Sequence, residues 1–155
     1  MVKIKDFAGE SFCLRELEQP EKYARFIKWA PKYADRICVT GYWNEVDEIK
    51  KSPFAFLYGS IVDCEFTSES AVTIGPDVIM LYLKIDHITM KWLREKKNVY
   101  DFNPRSDEHC LDDLCFVRDG RLVMASCTHE HSCCISAEML TAYRLSYNHS
   151  HKFPK

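Results

Sequence analysis

Glycine is scarce in this chain, and its scarcity argues against one class of site. Only five glycines occur among 155 residues. Loops that cradle phosphate groups use glycine because backbone N–H groups must approach the ligand closely. The nucleophile elbow of the α/β-hydrolases and the metal-binding HExxH helix are missing as well. We therefore expect neither a nucleotide site built on backbone amides nor a common hydrolase site.

The chain also has no large excess of positive or negative charge. The formal net charge is −2, which gives no overall attraction to nucleic acid or to an anionic membrane. Four cations lie between Lys91 and Lys97, but such a group on one helix is typical of a solvated face. No run of about 20 apolar residues is present to cross a membrane. We expect neither a nucleic-acid partner nor a membrane partner.

An apolar signal-peptide core is absent from the first residues, MVKIKDFAGESF. The chain nevertheless holds eight cysteines, a number that would suggest disulfides in an exported protein. Without export, cysteines stay reduced. We therefore expect a cytoplasmic protein with free thiols.

The overall composition is that of a folded domain. Apolar residues make up 46% of the chain and charged residues 28%, which are ordinary globular values. No repeat, low-complexity tract or linker divides the sequence. We predict a single domain over residues 1–155, with residues 148–155 as a frayed tail.

Apolar periodicity and capping residues predict the helices. Pro20 opens a helix whose apolar stripe ends near Pro31. Asp86 and Ser136 are suitable N-caps for two later helices, and Asn44 for a short one. The predicted helices cover residues 20–30, 45–51, 87–97 and 137–147.

Alternating and continuous apolar runs predict the strands, while residues 54–61 fit helix and strand equally. Gly75-Pro76-Asp77 reads as a turn between two of the strands. The predicted strands cover residues 2–7, 36–43, 61–66, 71–74, 78–85, 114–117 and 122–125. Because strands and helices do not alternate regularly, we predict an α+β fold with a mostly antiparallel sheet and about three to four helices.

The clearest turn signal is Asp119-Gly120, which lies between two apolar runs. The turn is either a two-residue type I′ loop or a three-residue loop over residues 118–120. The choice decides which side chains face the core, since a shift of one residue exchanges the two faces. We favour the three-residue loop because it places four apolar residues on one face: Leu114, Phe116, Leu122 and Met124.

A metal site is one functional hypothesis. Cys127, His129, His131 and Cys133 would point the same way if the strand after residue 125 were continuous, and all four are zinc-ligand types. On a continuous strand the outer two would lie roughly 20 Å apart, too far for one ion. They converge only if the strand breaks near residues 128–130, or if ligands come from His109, Cys110 or Cys115. Zinc is therefore the alternative cofactor, and the principal prediction is that there is none.

A cysteine-dependent enzyme is a further alternative. Cys127, Cys133 and Cys134 lie close in sequence to His129 and His131, and a Cys–His pair can generate a reactive thiolate. Sequence neighbours on a strand point apart, however, and no orienting third residue is visible. We leave the enzyme question open and favour a non-enzymatic protein.

Protein binding is the principal prediction. The candidate contact residues are an acidic group and two of the many aromatic residues, since fixed charges beside aromatic rings are typical of interfaces. They are Asp107, Glu108, Asp112, Asp113, Trp43 and Tyr100. In its most concrete form the hypothesis is a toxin-neutralising immunity protein. Its acidic loop and adjacent hairpin would block a basic partner, such as a toxin or nuclease domain.

Overall fold

An antiparallel sheet with helices against one face organises the protein. A computed structural model describes residues 7–69, 74–102 and 111–151, and only the backbone of residues 69, 74–77 and 149–151. The described part contains seven strands. They are β1 (Ser11–Cys13), β2 (Arg36–Gly41), β3 (Ile61–Glu69), β4 (Ile74–Lys84), β5 (Leu111–Arg118), β6 (Arg121–Cys127) and β7 (Ser132–Ser136).

The strands follow the order β1-β7-β6-β5-β2-β4-β3, and every neighbouring pair is antiparallel. Three α-helices accompany the sheet: α1 (Pro20–Trp29), α2 (His87–Arg94) and α3 (Ala137–His151). Shorter 3₁₀ helices cover Glu16–Glu18, Ala30–Lys32, Val46–Lys51 and Ala55–Ser60. The predicted α+β class with an antiparallel sheet is confirmed.

The main core lies between the helices and one face of the sheet. Helix α1 buries Tyr23, Phe26 and Ile27 there, as its apolar spacing predicts. The other two helices bury residues in the same cluster. A smaller cluster lies on the opposite face, against which Phe7 packs. No helix among the described residues is long and apolar enough to span a bilayer.

Helix α2 begins where its capping residue predicts. The Asp86 carboxylate accepts hydrogen bonds from the N–H groups of Ile88 and Thr89, both at 2.9 Å. The Thr89 hydroxyl in turn accepts from the Asp86 N–H at 3.0 Å, which completes a capping box. The helix ends at Arg94, three residues before the predicted end at residue 97. The chain turns there because Val99 and Phe102 enter the main core.

The predicted turn at residues 75–77 is wrong, since β4 runs through it from Ile74 to Lys84. Strand β2 pairs with β4 only from Ile79 onward, so residues 74–78 have only β3 as a paired neighbour. Pro76 is tolerated in this position because its missing N–H removes no bond to β2. The predicted strands over residues 2–7 and 71–74 lie almost entirely outside the described residues.

Residues 45–61 form tighter turns than the predicted helix. A 3₁₀ helix covers Val46–Lys51, and Glu45 rather than Asn44 precedes it. The segment that fitted both helix and strand divides into a 3₁₀ helix over Ala55–Ser60 and then strand β3. At the other end of the chain, α3 continues to His151, beyond the predicted end at residue 147.

The Asp119-Gly120 hairpin has the two-residue loop. Arg118 pairs with Arg121, and φ is positive at both loop residues, 52° at Asp119 and 74° at Gly120, as a type I′ turn requires. A bulge then shifts the register between Phe116 and Val117. Leu114, Phe116 and Met124 therefore reach the main core as predicted. Leu122 lies on the opposite face, so the favoured three-residue register is wrong next to the turn.

Tyr23 links α1 to the end of α2, and we expect Tyr23→Phe to destabilise the protein by about 1 kcal/mol. The Tyr23 hydroxyl donates a buried hydrogen bond of 2.7 Å to the Leu93 carbonyl oxygen. The Lys96 N–H also reaches this oxygen, at 3.3 Å, so the oxygen keeps one donor in the variant. Urea denaturation measures the loss. An unchanged midpoint would show that this hydrogen bond contributes no net stability.

Candidate functional site

Two neighbouring carboxyl groups, Asp112 and Asp113, are buried where β5 begins. The two residues are 0% and 2% exposed. The register between β2 and β5 shifts between Cys38 and Thr40, which places an extra residue on β5. Asp113 has φ of 55° at this bulge, a left-handed conformation that is rare outside glycine. Buried acids in a strained backbone segment are typical of functional sites.

Asp112 lies beneath an exposed imidazole. Its Oδ2 accepts a hydrogen bond of 3.0 Å from the Tyr42 hydroxyl and lies 3.5 Å from the Nε2 of His129. The His129 side chain is 60% exposed. Burial, and then the neighbouring Asp113, raise the pKa of Asp112 to about 6, although the contacts with Tyr42 and His129 oppose the rise. This carboxyl group can therefore take up or release a proton near pH 6.

Asp113 connects the start of β5 to the end of β6 by hydrogen bonds. The Thr128 N–H donates to Asp113 Oδ1 at 2.8 Å, and the Asp113 N–H donates to the Thr128 hydroxyl at 3.1 Å. Burial raises the pKa of Asp113 in spite of these bonds. The acid pair thus supports the turn between β6 and β7. The Asp119-Gly120 turn lies at the other end of β5.

The structure does not place the predicted partner-binding residues that it describes on one common surface. Asp107 and Glu108 lie outside the described residues. Asp112 and Asp113 are buried as described, and Trp43, at 4% exposed, belongs to the main core. Tyr100 is half-buried, and its ring stacks on that of His131 with centroids 4.8 Å apart. These residues therefore form no continuous exposed patch among the described side chains, and their role in binding stays a prediction.

The strand break that the zinc hypothesis requires is present, but the four side chains diverge. Strand β6 ends at Cys127 and β7 begins at Ser132. His129 approaches Asp112, whereas His131 Nδ1 lies 3.6 Å from a Glu18 oxygen. Cys133 belongs to the main core. Within residues 7–69, 74–102 and 111–151, no group of three or more His, Cys, Asp or Glu side chains is arranged to hold a metal ion.

Two of the three cysteines in the enzyme hypothesis do not resemble activated nucleophiles. Burial raises the pKa of both Cys127 and Cys133, so the reactive thiolate form is scarce at neutral pH. The structure also places His129 and His131 against carboxyl groups. The geometry offers no support for a Cys–His pair among these residues.

Strand β3 presents a surface that the sequence did not reveal. It is the last strand in the sheet order, so one of its edges has no paired strand among the described residues. Val62 is 47% exposed and Phe66 is 51% exposed. The strand sequence, IVDCEFTSE, contains three acidic residues and no basic residue.

The backbone of β3 also faces outward. The Cys64 N–H donates to the Asp63 carboxylate at 2.8 Å, which indicates that it points away from β4. Alternate residues of a strand direct their backbone groups to the same side. Phe66 therefore directs its backbone groups to the open edge as well. Between the register shifts at Ile61/Asp63 and Thr67/Glu69, residues 63–67 form a regular template for another strand.

No protein-family model, curated protein or solved structure matches this chain.

The sequence contained a signal for only part of this surface. Alternation predicts the strand over residues 61–66, but not the exposure of Val62 and Phe66, because an edge position depends on which strands pair. Strand pairing is set by contacts between distant segments, such as β2 with β4. The sequence also did not predict that Asp112 is buried, because acidic residues are mostly exposed.

Proposed function

We propose that the protein acts by binding another protein, which adds an extended basic segment to the open edge of β3. The observation that carries the proposal is the edge itself, an acidic strand with exposed apolar side chains. In strand addition, backbone hydrogen bonds supply affinity and alternate side chains supply specificity.

Edge strands are normally protected, and the protection of β3 is limited to its acidic residues and the register shifts at its two ends. Natural proteins use short strands, lysine or proline to prevent unwanted pairing at an edge. Strand β1, at the other edge, has only three residues. Strand β3 has nine residues and contains neither lysine nor proline. A long edge that carries exposed Val62 and Phe66 and only acidic charges supports a role in binding a basic segment.

Charge selects the kind of partner. Asp63 and Glu65 lie in the regular part of β3, and like charges directly opposite each other destabilise a strand pair. Pairing of β3 with β3 of a second copy would bring such acids together. A segment rich in lysine or arginine would instead bring opposite charges together, so we propose a basic partner.

The most concrete form of this function is a toxin-neutralising immunity protein. A basic toxin or nuclease domain would supply the extended segment. The support for this form is the acidic edge and the slightly acidic chain, whose net charge is −2. Acidic groups also increase the rate of association with a basic partner.

A designed peptide tests the binding mode without a known partner. The probe is a peptide as long as β3 that alternates lysine with valine, and its control has glutamate in place of lysine. We expect the lysine peptide to bind and Glu65→Lys to weaken it about tenfold, equivalent to about 1.4 kcal/mol. Glu95→Lys is the matched control, since it makes the same charge change at an exposed position after α2. Isothermal titration calorimetry measures each affinity.

Three outcomes would contradict the proposal. Equal binding of the lysine and glutamate peptides would remove the charge argument. Equal weakening by Glu65→Lys and Glu95→Lys would show attraction to the whole protein rather than to the edge. A dimer in size-exclusion chromatography that Phe66→Pro dissociates would identify a second copy as the occupant.

A further inference from the structure

A row of cysteines crosses the sheet on the face opposite the α-helices. Cys13 of β1 pairs with Cys134 of β7, which pairs with Ala125 of β6. Ala125 pairs with Cys115 of β5, and Cys115 with Cys38 of β2. Directly opposite residues share a face of the sheet. The row therefore contains two thiol pairs on adjacent strands.

The hydrogen bonds around the first pair define its geometry. The Leu14 N–H donates to the Cys133 carbonyl at 2.8 Å, and the Ala137 N–H donates to the Glu10 carbonyl at 2.9 Å. Hydrogen-bonded and non-hydrogen-bonded pairs alternate along an antiparallel ladder. Cys13 and Cys134 therefore form a non-hydrogen-bonded pair, in which Cα atoms lie about 4.5 Å apart. A disulfide accepts Cα separations of about 4.4–6.8 Å.

The two pairs differ in their access to reagents. Cys13 is exposed and Cys134 is half-buried. Cys38 and Cys115 are each 1% exposed, and burial raises the pKa of both thiols. Only the pair at the β1 edge combines access with a suitable geometry.

We propose that Cys13 and Cys134 are a site of reversible disulfide formation by exchange with a low-molecular-weight disulfide such as glutathione disulfide. The Cys13 thiol loses its proton, and its sulfur attacks one sulfur of the reagent. The reagent's S–S bond breaks, and one glutathione leaves as the thiol. Cys134, after losing its own proton, attacks the Cys13 sulfur of the mixed disulfide and expels the second glutathione. Two protein thiols are oxidised, and one glutathione disulfide is reduced to two thiols.

A Cys13–Cys134 disulfide would hold the short edge strand β1 against β7. Strand β1 has only three residues, and the chain then enters the main core at Leu14 and Leu17. A bond to β7 restricts opening of this end of the sheet. The site lies at the opposite edge from β3, so it is independent of the proposed binding function.

Treatment of the reduced, folded protein with glutathione disulfide tests the proposal. We expect a loss of two hydrogen atoms in the intact mass, two fewer titratable thiols than the eight of the sequence, and a Cys13–Cys134 peptide in the digest. Oxidation should raise the melting temperature, and dithiothreitol should reverse both changes. Cys13→Ser should accumulate a mixed disulfide at Cys134 instead.

Cys64→Ser is the matched control, because Cys64 is also partly exposed but pairs with Leu81 across the sheet. It should form the Cys13–Cys134 bond as the unchanged protein does. Three results would overturn the proposal: a protein that stays reduced, one that carries only mixed disulfides, or one that forms a different linkage such as Cys133–Cys134.

Discussion

Asp112→Asn is expected to stabilise the protein by about 3 kcal/mol at pH 8 and to leave its stability at pH 4 nearly unchanged. The Asp112 side chain is fully buried, and its pKa is raised from 3.8 to about 6. A shift of roughly two pKa units corresponds to about 3 kcal/mol. Asparagine has nearly the shape of the protonated acid and can still accept the hydrogen bond from Tyr42.

The direction of the pH effect follows from the raised pKa. The unfolded chain loses this proton near pH 3.8, whereas the folded protein retains it until about pH 6. The contribution of Asp112 to stability is therefore present below pH 3.8 and is lost as the pH rises through 6. The groups that face this carboxyl are Asp113, Tyr42 and His129. Urea denaturation at a series of pH values measures the difference between the two proteins.

Asp86→Asn provides a control with the opposite sign. Burial pushes the pKa of Asp86 upward, but hydrogen bonds from Thr89, Ser60 and Ile88 outweigh it and hold the pKa below 3.8. Asparagine also caps helices well. This variant should lose stability relative to the unchanged protein as the pH rises to 3.8, the value in the unfolded chain, and the difference should be nearly constant at higher pH. A pH-independent difference between Asp112→Asn and the unchanged protein would refute the assigned titration.

Gly41→Ala is expected to destabilise the protein by about 1–3 kcal/mol. A Cβ at Gly41 would lie 2.6 and 2.7 Å from two indole carbons of Trp43 and 3.1 Å from a methyl carbon of Ile79. The indole has little room to move, because Trp43 is 4% exposed and packs edge-on against Phe54. Either the strand or the ring must shift to admit the methyl group.

Gly59→Ala is the matched control for this substitution. A Cβ at Gly59 meets nothing within 4 Å, so the change should be neutral or stabilising by less than about 1 kcal/mol. Thermal denaturation of both variants gives the comparison. If the two variants melted at the same temperature, the close packing of Trp43 over β2 would be incorrect.

Local signals in the sequence predicted local structure well. Pro20, Asp86 and Ser136 mark the starts of the three α-helices, since capping and fixed φ depend on a few neighbouring residues. The Asp119-Gly120 pair located the hairpin for the same reason. These features need no knowledge of the rest of the fold.

Features that depend on distant segments were missed. The bulge between Phe116 and Val117 changes the face of the sheet on which Leu122 lies. The sequences of β5 and β6 alone do not predict this bulge. Pro76 predicts a turn in isolation, but β2 ends early enough to leave that part of β4 without a second neighbour. The sequence indicated Asp112 as a candidate contact residue but did not predict its burial, and it did not predict that β3 is an edge strand, because both features follow from strand order.

Amide hydrogen exchange of β3 tests the proposed binding mode most directly. The unchanged protein is measured with and without the lysine–valine peptide. Strand addition predicts slower exchange at Phe66, whose backbone groups face the open edge, and little change at Glu65, whose backbone faces β4. Slower exchange confined to the turn between β6 and β7, or none in β3 when the peptide is bound, would contradict binding at this edge.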